Sequence, residues 1–530
     1  GERGERLVDL KRTRFKRKRR AEESGREIYT REWEETEMPA VDAGRAGKNI
    51  LILRAGNFWL EDMERLLAAV KEWKPEDGPV LVVTEHAVEV SAVDSVCNYR
   101  QAALWGAVRC LRAERPDVPL YLLDTDKPEI LDLEQTALCG GLPEGEYELA
   151  VRDKKVYGCR IRQKKLETGK TDAQSGRVCT EQGERGKDTA VITGASGGVA
   201  FSYALYLAAQ GIGHIVLISR HRMARTGILL ETLRYYGVDC RFLQADVTNP
   251  EQMRQCWKSL QDKKYGAKTV YHLAGYSKDC PAEQITPELM EEHMRPRLEG
   301  AMCLSKLVKE TGDRLVLIGS VTALLGNPGQ SCYAAANMAM QSFGAYAGHK
   351  TEGFGALDTG MAVRSETVRQ ALTRQGIALM DSREAIERVE VCDEEVCFAA
   401  DLDWHKLAGV RRIDTDHKFR DVMQTAGQED DFRKEYDAAD TVEKERMLIE
   451  EMRRIYAQIL EMQAEEVSPD RNTDTMGIDS LGAAFISARI QERLKADVMP
   501  EMVSGPFTIR NMAMRMVLEI EKKEEGMEEK

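Results

Sequence analysis

TAVITGASGGVAFSYALYLAAQ, Thr189 to Gln210, decides how this chain is read. It begins as a short apolar run of strand character and ends as an apolar helical stretch, with Gly194, Gly197 and Gly198 between the two. A buried strand that turns on glycines into a helix brings backbone N–H groups and the positive end of the helix dipole to one point, where a pyrophosphate can be held. The spacing predicts Thr193, Gly194, Ser196, Gly197, Gly198 and Val199 as that cradle. A lone glycine-rich turn is weak evidence, and a purely structural strand-to-helix turn is the competing reading.

The residues downstream weigh against the structural turn. HIVLIS, CRFLQADV, TVYHLAG and RLVLIGS follow TAVITG as short apolar runs separated by helical stretches. Five strands in βα alternation predict an α/β fold with a doubly wound parallel sheet. The second run ends in Ser219 and Arg220, where an acidic residue would otherwise hold an adenosine 2′-hydroxyl. A hydroxyl and a guanidinium suit a 2′-phosphate, so NADPH is expected over NADH. Asp246, followed by Val247, ends the third run in position to accept from an adenine amine. Ala274 and Gly275 end the fourth, where the small residue lets a ribose pass.

The fifth run ends at Ser320; Tyr333 follows, and Asn337 lies one helical turn beyond it. A strand-end serine facing a helical tyrosine suits carbonyl reduction: the hydroxyl holds the carbonyl oxygen, the phenol delivers a proton, and a nicotinamide supplies hydride to the carbon. A phenol near pKa 10 needs a neighbouring cation or donor network to act near neutrality.

Upstream, NILILRA, VLVVTEH and LYLLDT read as buried parallel strands, with AALWGAVRCLRAE as a helix between two of them. The turn Arg54-Ala55-Gly56-Asn57 has no glycine cluster, so this first α/β unit is expected to bind no nucleotide. The 530 residues carry a net charge of −13, which argues against a dedicated nucleic-acid binder. Lys11 to Arg20 is strongly basic and is read as a solvated linker or docking segment. Twelve scattered cysteines with no CxxC pair indicate neither a disulfide framework nor a metal site. No apolar run approaches the roughly 20 residues of a membrane span, and no secretory leader is evident, so a cytoplasmic protein without membrane contact is expected.

TGASGGVA, LISR, ADVT, HLAG and GNPGQSCYAAAN together resemble the ketoreductase domain of modular polyketide synthases, a branch of the short-chain dehydrogenases. ALWGAVRCLRAERPDVPLYLLD and ELAVRDKKVYGCRI are similar to that family's non-catalytic structural subdomain, and IYTREWEE to the segment where such domains begin. The resemblance implies Ser320 as the substrate-polarising residue, Tyr333 as the proton donor and Asn337 as their support. The family's lysine falls in RPRLEGAMCL, where Arg297 stands in its place. A guanidinium can stabilise a phenolate and donate hydrogen bonds, but it cannot pass a proton on. Ala200 replaces the third fingerprint glycine, and Gly319 stands where a second serine is usual. Asp279 alone remains of the LDD triplet of members that form a D-configured β-hydroxyl, and Leu325 replaces the tryptophan of the opposite class. Both point to a D-hydroxy product. A solvated loop role for Asp279 is the other reading.

GIDSLGAAFISARIQERL sets Asp479 and Ser480 before an amphipathic helix with Leu481, Phe485 and Ile486 on one stripe. An N-capping pair is the plain reading. With MRRIYAQILEM before it and GPFTIRNMA after it, the segment resembles acyl and peptidyl carrier domains, which implies 4′-phosphopantetheine on Ser480. The expected organisation is a basic linker (1–26), a structural subdomain (27–170), a linker (171–188), a catalytic subdomain (189–415), a linker (416–442), a helical four-helix carrier (443–522) and a tail (523–530). The expected reaction is NADPH-dependent reduction of a carrier-bound β-ketoacyl thioester. The expected partners are ketosynthase, acyltransferase and phosphopantetheinyl transferase domains. A silent ketoreductase-like scaffold, or a short-chain dehydrogenase acting on a diffusible substrate, are the alternatives.

Overall fold

The computed structural model describes residues 27–36, 51–56, 58–91, 94–127, 145–166, 188–261, 265–359, 366–411, 413, 415–423, 436, 439–460, 464–476, 486, 490 and 507–528. The chain divides into two compact units, 1–422 and 423–530. In the first, the strands are β1 (Glu27–Thr36), β2 (Leu51–Arg54), β3 (Val80–Glu85), β4 (Leu120–Thr125), β5 (Glu148–Arg152), β6 (Lys155–Lys165), β7 (Thr189–Thr193), β8 (His214–Ser219), β9 (Asp239–Gln244), β10 (Lys268–His272), β11 (Arg314–Ser320), β12 (Lys350–Phe354) and β13 (Val396–Ala399). They form one sheet in the order β2-β3-β4-β5-β6-β1-β13-β12-β11-β10-β7-β8-β9.

The two α/β halves expected from the sequence are therefore fused at the level of hydrogen bonds. Long strand β1 is the joint: it pairs antiparallel with β6 along its whole length and with β13 at Tyr29 and Phe398. From β13 to β9 all pairings are parallel. Strands β10 and β8 flank β7 on opposite sides. The chain winds outward from β7 to β9, then crosses back to β10, so the order reverses between β7 and β10. A reversal of this kind opens a crevice beyond the carboxyl ends of the two strands. In the first half the order β2-β3-β4-β5 never reverses.

Strand alternation sorts the apolar residues onto two faces. Val191, Val216, Ile218, Val270, Leu315 and Leu317 enter one core, which also contains Leu104 and Val108 of the helix Ala102–Glu114 and Ala335 and Met338 of the helix Ser331–Ala347. Ala190, Ile192, Ile215, Leu217, Tyr271 and Val316 enter the other, against Tyr203, Ala204 and Leu207 of the helix Gly198–Ala209. A buried ion cluster stiffens the first face: Arg109 grips Glu148 with two nitrogens at 2.9 and 2.6 Å, and the Lys418 amine donates to the same carboxylate at 2.6 Å. These two cations hold the Glu148 carboxyl well below its usual pKa although it is fully buried. Asp416, Lys418, Phe419 and Val422 are buried, so the segment expected to open a linker at 416 packs into the first unit.

The second unit contains the helices Thr441–Leu460 and Ile509–Glu528. Leu448, Met452, Ile455 and Tyr456 of the first and Ile509, Met512, Ala513 and Met516 of the second share a core. Ile486 and Ile490, one helical turn apart, are buried in that core. Among the described residues no helix is long and apolar enough to cross a membrane.

Candidate active site at the strand reversal

The crevice between β7 and β10 is lined first by the glycine turn. Gly194 has φ +68°, and a Cβ there would lie 2.7 Å from the Leu273 carbonyl carbon, so both conformation and space require glycine. Gly197 is the N-cap of the helix Gly198–Ala209, and among the described residues no side chain accepts from the first helix amides. Ser196 and Gly197 are exposed, Val199 is half-buried, and Thr193 is fully buried. An uncapped helix N-terminus beside a turn that excludes side chains is a fit for a phosphate-bearing cofactor.

Thr193 tethers the turn to the neighbouring strand end. Its hydroxyl oxygen accepts from the Leu273 and Ala274 amides at 3.2 and 3.4 Å and bonds His272 Nδ1 at 2.9 Å. His272 Nε2 faces the Arg297 carbonyl at 2.9 Å. A carbonyl only accepts, so Nε2 carries the proton and Nδ1 accepts from Thr193. Burial pushes the imidazole down to about 4, which keeps this neutral tautomer at ordinary pH. His272 was not assigned a role from the sequence. Its only signal there is a lone histidine closing the apolar run TVYH.

At the adenosine end, Ser219 is buried, and its hydroxyl donates to the His221 carbonyl at 2.7 Å. Its proton is thus used within its own loop, and Arg220 beside it is exposed. One Asp246 carboxylate oxygen accepts from the Thr248 amide and hydroxyl at 2.9 and 2.8 Å, which shapes the turn into the helix Pro250–Lys258. Val247 is buried, and a Cβ on Gly300 would lie 2.9 Å from it.

At the other end, Arg297 sits in a single π-helical turn, Arg295–Glu299. Insertions of this kind occur often at functional sites. Its guanidinium rests on Gly275, where a Cβ would lie 2.8 Å from Cζ. It also lies over the Tyr333 ring, 4.6 Å from Cζ to the centroid. Arg297 Nε is buried without a partner. Asn337 donates to the Tyr333 carbonyl at 2.8 Å, while its own Oδ1 is buried and unpaired. Ser320, at the end of β11, is bonded to Thr322 Oγ1 at 3.2 Å. Thr322 reaches Gln330 at 3.4 Å, and Gln330 donates to Asp279 at 3.0 Å. Asp279 is thus exposed but anchored. Gln330 and Thr322 were not singled out from the sequence, since nothing in their spacing reveals the link. Ser480 lies outside the described residues. Among the described residues no cluster of His, Cys, Asp and Glu could hold a metal ion.

Three family models match the chain: the Rossmann fold domain of polyketide synthase extender module SpnB over residues 30–161, the KR domain over 188–361, and the phosphopantetheine attachment site over 450–522. Polyketide synthase GfsB of Streptomyces halstedii is 25% identical over 454 residues, covering 80% of this chain and 8% of GfsB. The pikromycin polyketide synthase component PikAIII of Streptomyces venezuelae is 27% identical over 344 residues, covering 62% of this chain and 21% of PikAIII. The chain thus spans a small part of these relatives. Among solved structures, the ketoreductase from the first module of phoslactomycin biosynthesis in Streptomyces sp. HK803 superimposes with a TM-score of 0.61 at 25% identity, covering 73% of this chain and 96% of that one. An A-type ketoreductase from a modular polyketide synthase gives a TM-score of 0.60 at 21% identity, covering 73% and 96%. KR domains use NADPH, and phosphopantetheine attachment sites carry 4′-phosphopantetheine. The first unit is therefore a KR domain in the ketoreductase fold of polyketide synthases, joined to its Rossmann companion, and the second carries a phosphopantetheine attachment site.

Proposed function

We propose that the chain reduces a β-ketoacyl thioester, borne on a phosphopantetheine arm at Ser480, to the β-hydroxyacyl thioester. The observation that carries this reading is Arg297, whose guanidinium touches both Gly275 at the cofactor crevice and the ring of Tyr333. NADPH supplies the hydride when bound, and Thr193, Gly194, Ser196, Gly197, Gly198, Val199, Arg220, Asp246, Val247, Ala274 and Gly275 are the residues that would hold it. Ser320 holds the ketone oxygen by a hydrogen bond, and Tyr333 delivers the proton to that oxygen. The guanidinium over the ring stabilises the phenolate left behind, since a cation on an aromatic face is attracted by about 0.5–2 kcal/mol before any ring charge develops. Asn337 fixes the tyrosine's turn of helix through the Tyr333 carbonyl. Reprotonation of the phenolate is left to water, because guanidinium does not give up its proton.

Asp279, tied to Gln330, supports the D-hydroxy product. Ketosynthase, acyltransferase and phosphopantetheinyl transferase domains are the partners that would supply and modify the carrier. A silent scaffold is the second reading, favoured by one observation: Arg297 lies on the face of the Tyr333 ring and keeps Nε unpartnered. NADPH oxidation by the full chain, charged at Ser480 with a β-ketoacyl-pantetheine, separates the two. The reductase reading expects turnover that falls about 10²–10⁴-fold in Tyr333→Phe, the usual worth of a positioned proton donor. Silence in the unaltered chain with turnover in Arg297→Lys would establish the scaffold.

A further inference from the structure

The helix Ala102–Glu114 belongs to the half of the sheet with no cofactor crevice, yet one of its faces tracks the catalytic loop residue by residue. Gly106 packs on the Ala334 carbonyl, directly after Tyr333. Arg109 donates to the Ala323 carbonyl at 2.5 Å. The Asn327 amide reaches Cys110 Sγ at 3.2 Å. Glu114 ends the series with one carboxylate shared between two loops: Oε1 accepts from the Ala282 amide at 2.7 Å, and Oε2 from the Gly329 amide at 3.1 Å. Positions 106, 109, 110 and 114 are spaced by three and four residues, so they share one helix face.

The two loops held by Glu114 leave the ends of two neighbouring strands, β10 and β11. One follows Gly275 and carries Asp279; the other runs from Ser320 to the helix of Tyr333. They also meet through the Cys280 amide and the Gly329 carbonyl at 2.9 Å, and through Gln330 and Asp279 at 3.0 Å. A carboxylate in the last turn of a helix faces the negative end of the dipole, an unfavourable place. Two backbone donors, from segments 168 and 215 residues away in sequence, offset that placement.

We propose that Glu114 is a positioning residue for the reaction: it clamps the Asp279 loop against the loop leading into Tyr333 and thereby sets which face of the ketone is presented for reduction. The clamp is a matter of geometry, while its effect on the product rests on the reductase reading. Glu114→Gln keeps size and one acceptor oxygen but turns an NH₂ toward the second amide. Ala282→Pro deletes one donor without touching Glu114. The position opens a 3₁₀ turn, and Pro281 before it has ψ 155°, which a following proline accepts.

Backbone amide exchange on the cofactor-free full chain is read first. Glu114→Gln is expected to speed exchange at least tenfold across 276–286 and 326–330, with β7 and β8 unchanged. Ala282→Pro is expected to do so in 276–286 alone, and Glu114→Asp to restore part of the protection. The ratio of the two hydroxy epimers formed from a tethered β-ketoacyl group is read second. It should shift at least fivefold in Glu114→Gln, while NADPH affinity, measured by nicotinamide fluorescence, stays within twofold. Unchanged exchange in both loops overturns the clamp. Faster exchange with an unchanged epimer ratio overturns the positioning role. An unaltered chain without turnover defeats the reductase reading and the stereochemical part with it, and the exchange result still decides the clamp.

Discussion

Two strand–turn–helix units in this molecule start alike and end differently. After β2, the Gly56 amide donates to the buried Asp62 carboxylate at 2.8 Å, and Arg65 pairs with that carboxylate at 3.2 Å. After β7, no side chain among the described residues accepts from the amides of the turn or of the first turn of the helix Gly198–Ala209, and the Gly194 turn admits no Cβ. Both helices start without a side-chain cap, so the difference lies in the turn: the first unit satisfies one turn amide with its own carboxylate, and the second has no such carboxylate among the described residues. Topology sharpens the contrast: β2 is an end strand of a half whose order never reverses, whereas β7 stands beside the reversal that opens a crevice. An α/β pattern in sequence specifies the layers; strand order and the partner of one amide specify whether anything binds.

The largest effect expected from this contrast is at Gly194. Gly194→Val puts a branched side chain at φ +68° and against the Leu273 carbonyl, and NADPH affinity should fall at least 100-fold by fluorescence titration. Asp62→Ala in the other half should leave NADPH affinity within twofold while lowering stability by about 0.5–1.5 kcal/mol, the net worth of an ordinary hydrogen bond to the exposed Gly56 amide. Equal loss of binding in both variants would break the comparison.

Acid should act on the second half through His272. Its folded pKa of about 4 lies below the unfolded value of 6.5, so the unfolded chain takes up a proton over that interval that the folded chain refuses. The stability is whole above pH 6.5 and is lost as pH falls toward 4, by up to about 1.4 kcal/mol per pH unit. Urea unfolding between pH 6.5 and 5 should show this slope reduced in His272→Asn. The smallest effect is at Gly319, where a Cβ would lie an ordinary 3.6 Å from the unpaired Asn337 Oδ1. Gly319→Ser should supply a donor and raise stability by about 0.5–1.5 kcal/mol.

The five strands of the catalytic half were legible because each carries a short apolar or alternating run closed by a turn. Strands β12 and β13 were not. KTEGF reads as polar, yet Lys350, Thr351 and Glu352 are buried, because Tyr203 donates to Glu352 at 2.7 Å and Lys350 pairs with Glu352 at 3.0 Å. Strand β1 was visible only through resemblance, and its role as the joint between the halves depends on β6 and β13, far along the chain. In the site, Ser320, Tyr333 and Asn337 follow from local spacing on one strand end and one helix. His272 and Glu114 do not, since their partners stand 25 to 215 residues away and only the fold brings them together. Arg297 was read by its place in a motif, whereas its position on the face of the tyrosine ring needed coordinates.

The central claim, that one half of the sheet has become a cofactor site and the other has closed its own turn, is tested most directly by calorimetric titration of NADPH into the full cofactor-free chain. The account predicts one NADPH per chain, abolished by Gly194→Val and retained by Asp62→Ala. Two per chain, or binding that survives Gly194→Val, would contradict it.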